Sequence, residues 1–347
     1  LEWKLYFKSR FQVAASDSVD MAQLYQFVAV DSLNLSGKSK IKHLRPLAEL
    51  RDLKFLDISQ TTIEDLSPIS NITLLESLNL SNTPTAAIKF IKYSDRLRYL
   101  DISNSQIEDI SELINLSNLQ VLKASNTSIQ SFAVLNQFKR LQELDLTESG
   151  FNNMENIKDL GSLQSLSLNK NYILNFSLLS QLTALSKLEL AETNFEDLSP
   201  LTSLTKLAYL DLTASLVSDL SPVASLSSLK KIAADETKLS PEDATLFMRN
   251  HPEILLIHHV KDLQSWWESL SSAWKQALVS INPSLELEKP RIEILTQTLN
   301  FPTLNFDDSG IESLMRRVIM MQRGHGSRNS TATEPNCPVR PFHENSG

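Results

Sequence analysis

The chain has 347 residues, of which 41% are hydrophobic, and carries a formal net charge of −8. That charge excludes a nucleic-acid backbone as the main partner, because such a partner demands a basic stripe. No apolar run reaches the 18 or more residues of a membrane-spanning helix, and the single cysteine, Cys337, excludes an internal disulfide.

Residues 1–29 predict two short helices. Trp3, Phe7 and Phe11 lie four apart, and Met21, Leu24, Phe27 and Val28 form a second amphipathic set around a polar Ser/Asp turn. Their expected role is to cover the first exposed coil of whatever repeats behind them, since the end of a stacked core must be shielded from water.

From residue 30 a strand pattern begins, and from Leu53 it becomes periodic. Leucines recur at 53, 75, 97, 119, 141, 163, 185, 207 and 229, every 22 residues. A partner three residues on recurs as Leu56, Leu78, Leu100, Leu122, Leu144, Leu166, Leu188, Leu210 and Ile232. A fixed period of this size marks a solenoid, in which each unit buries its apolar face against its neighbours. The first copy, Leu33 with Leu35, stands 23 residues before its match, and the Gly-Lys-Ser-Lys loop from Gly37 carries the extra residue. Leu56 and Ile58 alternate with polar residues, as in a half-buried strand. Ile63, Leu66, Ile69 and Ile72 follow at spacings that suit a tight helical turn or an arc closing the coil. The segment Asp-Leu-Ser-Pro recurs at 65–68, 197–200 and 219–222 and predicts the corner where the chain leaves the strand side.

Three positions after each Ile58-type residue stand Thr61, Thr83, Ser105, Thr127, Ser149, Asn171, Thr193, Ser215 and Thr237. A chain turning there has backbone groups in need of partners, so this column is expected to form a hydrogen-bonded ladder between neighbouring coils.

On these residues the sequence resembles bacterial leucine-rich repeat proteins with 22-residue, internalin-like repeats, over about residues 30–260. Most of that class has Asn at the ladder position; here Thr and Ser replace it except at Asn171, which shortens the reach of the side chain. The resemblance implies an α/β solenoid: a right-handed superhelix with a parallel sheet on its concave face and helical caps. It also implies a protein-binding role on that face.

After Thr237 the period breaks. Ser240 followed by Pro241 and Asp243 predicts a helix start, with the helix running to about Asn250 and a last strand in 253–259. Leu263, Trp266, Trp267, Leu270, Trp274 and Leu278 predict one amphipathic helix, and 288–299 a second. This segment repeats the N-terminal one at an offset of 271: Trp3-Lys4 matches Trp274-Lys275, Leu24 matches Leu295, and Leu33-Asn34-Leu35 matches Leu304-Asn305-Phe306. It resembles the cap module that precedes repeat arrays in some bacterial proteins of this class. The expected division is therefore a cap at 1–29, a repeat array with closing unit at 30–260, and a second cap module at 261–302. Residues 303–318 read as the start of a second, truncated array, and 319–347 as a disordered tail.

No motif for chemistry stands out. There is no nucleophile elbow, glycine-rich phosphate loop or His-Glu-x-x-His, and no cofactor or metal is expected. His258 and His259, placed on a strand, would point to opposite faces and not chelate together; His325, Cys337 and His343 match no metal spacing. Trp266, Trp267 and Trp274 at helical spacing beside leucines read as core. What remains is the strand face. Phe55, Tyr99 and Tyr209 lie in one column, and Asp57, Asp101, Lys123, Asp145, Glu189 and Asp211 in the next. An acidic face with aromatic anchors suits another protein with a basic or amphipathic segment. The expectation is a non-enzymatic protein-binding module; the alternative is a spacer or adapter within a longer multidomain or adhesin-like chain. The lone cysteine favours a cytoplasmic compartment, whereas a leader missing before Leu1 would place the protein outside the cell.

Overall fold

The structure, a computed structural model, describes residues 2–10, 12–13, 18 and 20–299. The expectations for Phe11, for the second array at 303–318 and for the tail lie outside the described residues. The chain divides into two compact units, Leu1–Leu229 and Lys230–Gly347. The division falls ahead of the boundary expected at residue 260, because the last coil of the series groups with the helices on its C-terminal side.

The first unit opens with helices α1 (Glu2–Arg10) and α2 (Met21–Val28). Asp20 caps α2 by a reciprocal box with Gln23, which satisfies two N–H groups that the helix itself leaves open. The Phe7 and Phe27 rings pack together, and the Trp3 indole N–H donates to the carbonyl of His43 at 2.8 Å. Tyr6 and Arg10 donate to the carbonyls of Asn34 and Ser32. These carbonyls belong to strand β1, so α1 covers a sheet edge that would otherwise offer a template for another strand.

Nine three-residue strands follow in this unit: β1 (Ser32–Asn34), β2 (Phe55–Asp57), β3 (Ser77–Asn79), β4 (Tyr99–Asp101), β5 (Val121–Lys123), β6 (Glu143–Asp145), β7 (Ser165–Ser167), β8 (Lys187–Glu189) and β9 (Tyr209–Asp211). Each pairs in parallel with the next, and from β2 onward the register equals the sequence period: Leu56 faces Leu78, which faces Leu100. The middle residue of every strand is buried at 2% exposure or less. Chain return is by short 3-10 turns, several opened by the Ser-Pro pairs at 67–68, 199–200 and 221–222. Asp65, Asp109 and Asp197 accept the N–H of the serine two residues on, closing the corner before each turn. Those bonds hold their carboxyls below the usual carboxylate range, with the serine hydroxyl the first cause at Asp197 and the backbone N–H first at the other two.

The coils interlock at a position with no common side chain. Gln60, Asn82, Asn104, Asn126, Glu148, Lys170 and Glu192 all have left-handed backbones, with φ between 50° and 58°. Each donates its N–H to the carbonyl of the residue one position before its counterpart in the next coil, Gln60 to Ser81 and Lys170 to Ala191, at 2.7–2.9 Å. The side chains of this column also stack: Asn126 donates to Asn104, and Lys170 lies between Glu148 and Glu192.

The expected ladder of hydroxyls is corrected by the structure. Thr61, Thr83, Thr127, Ser149 and Thr193 are buried, but each donates to the carbonyl three residues earlier in its own coil, at 2.6–2.8 Å. Asn171 alone in the column spans coils, donating to Leu146 at 2.8 Å as well as to Leu168. A hydroxyl sits one bond closer to the backbone than an amide nitrogen and cannot cross the gap. The hydroxyls of Ser105 and Ser215 find no partner.

The second unit contains β10 (Lys231–Ala233), α3 (Pro241–Asn250), β11 (Leu255–Ile257), α4 (Val260–Ser269), α5 (Ser272–Ile281) and α6 (Ile292–Leu299). Strands β10 and β11 are parallel. Ser240 caps α3 as its sequence predicts. The single helix expected around the tryptophans is two helices, α4 and α5, broken at Leu270 where Ser271 becomes a cap for Trp274. The second predicted helix starts later than expected, at Ile292, two residues past Pro290. Trp267, Leu270, Trp274, Leu278, Leu285 and Leu295 form one buried cluster, so Trp267 and Trp274 are core. Helix α6 has the bounds of α2 shifted by 271. It lies against β11, with Lys231 of β10 paired to Glu293.

A left-handed backbone costs an ordinary residue roughly 1–2 kcal/mol, and asparagine less. Replacing exposed Gln60 with Asn should therefore raise the stability of the array by about 0.5–1 kcal/mol. Replacing Asn104 with Val should lower it by more than that. Urea denaturation of the full chain checks both.

Candidate surface for partner recognition

The period of two along each strand decides which side chains reach the face. Leu56 and its equivalents turn inward; the residues on either side turn outward. Phe55 is 45% exposed, and Asp57, Tyr99, Asp101, Lys123, Asp145, Glu189, Tyr209 and Asp211 are half-buried. All nine residues singled out from sequence thus share one face of the sheet of the first unit.

The structure gives the acidic column a second job. One carboxylate oxygen of Asp57, Asp101, Asp145 and Asp211 accepts the N–H of the residue two further on, at 2.9 Å. Asn34 and Asn79 make the same bond with their amide oxygens. These are Asx turns that close the strand exit before the left-handed corner. At Lys123 and Glu189, where the column departs from Asp or Asn, the N–H two residues on turns to the previous coil. Ser125, following Lys123, donates to the Ser103 hydroxyl, and Ala191, following Glu189, donates to the Asn169 side chain. These four aspartates are therefore built into the scaffold, and at Asp101 and Asp211 the second oxygen accepts the hydroxyl of Tyr99 or Tyr209.

The charges of the face gather into two clusters. In the first, the Tyr99 hydroxyl approaches Asp101 at 3.4 Å, and Lys123 pairs with Glu143 at 3.1 Å. Burial raises the Tyr99 phenol above its usual range, and the Asp101 charge adds to this. Burial is the largest single influence and works against the Lys123 charge, but the bond and charge of Glu143, with Tyr99 and Asp101, together outweigh it and Lys123 is raised. In the second cluster Lys187 pairs with Glu189 at 2.9 Å and sits 5.9 Å from the Tyr209 ring centre, while the Tyr209 hydroxyl points at Asp211. The clusters lie on β4–β6 and β8–β9; Ser165 and Ser167 of β7 leave the ground between them low. Sequence reasoning missed Glu143 and Lys187 as the partners that neutralise Lys123 and Glu189. Their columns carried the signal, since strand neighbours differ by 22. It also missed Tyr172 and Leu174, exposed at 69% and 71% just past the buried Asn171.

A cleft of about 220 Å³ in the second unit lies beside Asp235, His258, His259 and Lys261. The two histidines lie off the strand expected to hold them, because β11 stops at Ile257 and His259 is left-handed at φ 50°. Their rings meet edge to face, 4.8 Å apart. Burial, with the neighbouring His259, pushes the His258 pKa down to about 4. Among the described residues no group of three His, Cys, Asp or Glu is placed to hold a metal ion. Among them, too, no helix is long and apolar enough to cross a membrane.

Three-residue parallel strands, a 22-residue period, a buried hydroxyl column and 3-10 returns define the class: the chain is a leucine-rich repeat solenoid with internalin-like repeats. No protein-family model matches the sequence, and no curated protein sequence matches it. Among solved structures the fold is similar to an internalin, InlF, of Listeria monocytogenes, at 25% identity over 74% of either chain with a TM-score of 0.66. It is similar also to a leucine-rich repeat protein of Leptospira interrogans, at 19% identity over 67% of this chain and 74% of that one, with a TM-score of 0.56. The functional domain of InlJ from Listeria monocytogenes, which includes a cysteine ladder, matches at 18% identity and a TM-score of 0.54; the match covers 73% of this chain and 57% of that one. With one cysteine in the whole chain, no such ladder exists here.

Two outcomes test this description. Asp145→Ala should cost about 0.5–1.5 kcal/mol because the Thr147 N–H loses its acceptor, whereas Asp145→Asn should be nearly neutral; chemical denaturation separates them. His258 is neutral in the fold and titrates near 6.5 when unfolded, so unfolding takes up a proton below that pH. The stability it contributes is full above pH 6.5 and is lost as pH falls toward about 4. A His258→Gln variant should flatten the melting temperature over that range.

Proposed function

We propose that this chain is a non-enzymatic protein-binding module. A partner protein lies across the concave sheet face and touches Phe55, Asp57, Tyr99, Asp101, Lys123, Asp145, Glu189, Tyr209 and Asp211. The observation that carries the reading is the column of aromatic side chains held half out of the core along one rigid face. A phenylalanine left 45% exposed on a three-residue strand keeps much of its ring at the surface, where it is available for contact. The face carries six acids, Asp57, Asp101, Glu143, Asp145, Glu189 and Asp211, against two lysines, Lys123 and Lys187, so a basic or amphipathic segment suits it. The similarity to internalin InlF supports the fold on which this rests; the step from fold to binding is an analogy.

The test is capture of a partner by the full chain, with Tyr99→Ala and Asp101→Asn combined. Asn keeps the bond to the Ser103 N–H, as Asn79 does for Ser81, so the double variant leaves the scaffold closed. Specific capture, identified by mass spectrometry, should fall at least tenfold with an unchanged melting temperature. Unchanged capture would reject this face.

A further inference from the structure

The face contains a slot with its own chemistry. Phe55, Ser77 and Tyr99 are aligned across β2, β3 and β4 by the register. Two aromatic side chains thus flank a serine that reaches no height. Strands stand about 4.8 Å apart, so the two rings rise from strands roughly 10 Å apart. A cation seated over Ser77 would lie about 5 Å from either ring, inside the ~6 Å range of cation–π attraction. One step along the same strands the register aligns Asp57, Asn79 and Asp101. One oxygen of each aspartate is tied to the backbone of Ser59 or Ser103, which fixes the carboxylates at the end of the slot. Neither carboxylate makes an ion pair among the described residues, and the nearest lysine of the column, Lys123, is paired with Glu143.

The second cluster shows what such a place takes. At β8 and β9 the tyrosine and aspartate recur as Tyr209 and Asp211, and the chain supplies its own cation: Lys187 stands beside the Tyr209 ring and bonds Glu189. At β2 to β4 the aromatic is doubled, two acids again stand beside it, and the chain puts a serine where the cation would be.

We propose that the slot over Ser77, between Phe55 and Tyr99, receives an arginine side chain presented by the partner protein. Arginine fits better than lysine. Its planar, weakly hydrated guanidinium stacks between two rings and reaches two carboxylates with its forked N–H groups, whereas an ammonium is a strongly hydrated point charge. This assignment rests on the reading of the sheet face as the binding surface.

The test titrates the full chain with three short peptides identical but for one residue: Gly-Arg-Gly, its lysine counterpart and its citrulline counterpart, which keeps the planar shape without the charge. The ring signals of selectively labelled tyrosine report occupancy by NMR. The arginine peptide should bind saturably at millimolar concentration, shift the Tyr99 ring, and weaken with added salt. The citrulline peptide should bind at least about threefold more weakly. Phe55→Ala and the pair Asp57→Asn with Asp101→Asn should each weaken the arginine peptide by a similar factor, and Ser77→Leu should block it with the melting temperature unchanged. Equal binding of citrulline and arginine, no saturable binding, or an arginine peptide indifferent to Ser77→Leu would overturn the assignment. If protein capture is lost in the Tyr99→Ala, Asp101→Asn chain but kept in Ser77→Leu, the face binds and the slot does not.

Discussion

The structure depends on one backbone feature: after strands β2 to β8 a residue turns left-handed and its N–H donates to the carbonyl of the next coil. At Gln60, Asn82, Asn104, Asn126, Glu148, Lys170 and Glu192 this bond measures 2.7–2.9 Å. A single coil buries too little apolar surface to offset the entropy of ordering its backbone. The interlock makes each coil the template for the next and carries the register that brings Leu56, Leu78 and Leu100 into line. Glutamate and lysine are poor residues for that conformation, and the chain tolerates them because the bond to the next coil would otherwise be left open.

The same constraint shapes the surface. A strand that must turn at once into a left-handed corner needs an acceptor for the N–H just before it, and Asp or Asn supplies one. The acidity of the sheet face is thus in part a consequence of how the coils close. What sets the face apart is the set of residues the scaffold does not need: Phe55, Tyr99 and Tyr209, and the lysines that answer some acids and leave others alone.

The sequence made the periodic part of this legible. The leucine columns predicted strands, register and core because burial acts on side chains, and Leu53 or Leu144 can be read directly. The face was legible for the same reason, since strand periodicity puts Tyr99 and Asp101 on one side. The left-handed column was not, because its demand falls on the backbone and Gln60, Asn82 and Lys170 share no side-chain property. The hydroxyl column was read as hydrogen-bonded but with the wrong partner: nothing in Thr61 or Thr193 says whether it reaches the next coil or its own, and only bond length decides. The break between α4 and α5 was hidden because Leu270 continues the apolar spacing while Ser271 ends the helix.

Native-state hydrogen exchange tests the interlock most directly. The amides of Gln60, Asn82, Asn104, Asn126, Glu148, Lys170 and Glu192 lie in exposed corners where a free loop exchanges within the dead time of the measurement. If the corners hold the stack together, these amides exchange as slowly as those of Ile58, Leu80 and Ile102, which leave the adjoining strands bonded to the next coil, and all open together at the free energy of unfolding the array. Fast exchange at the corners beside slow exchange in the strands would show that the coils are held by their leucines alone, and would contradict the account.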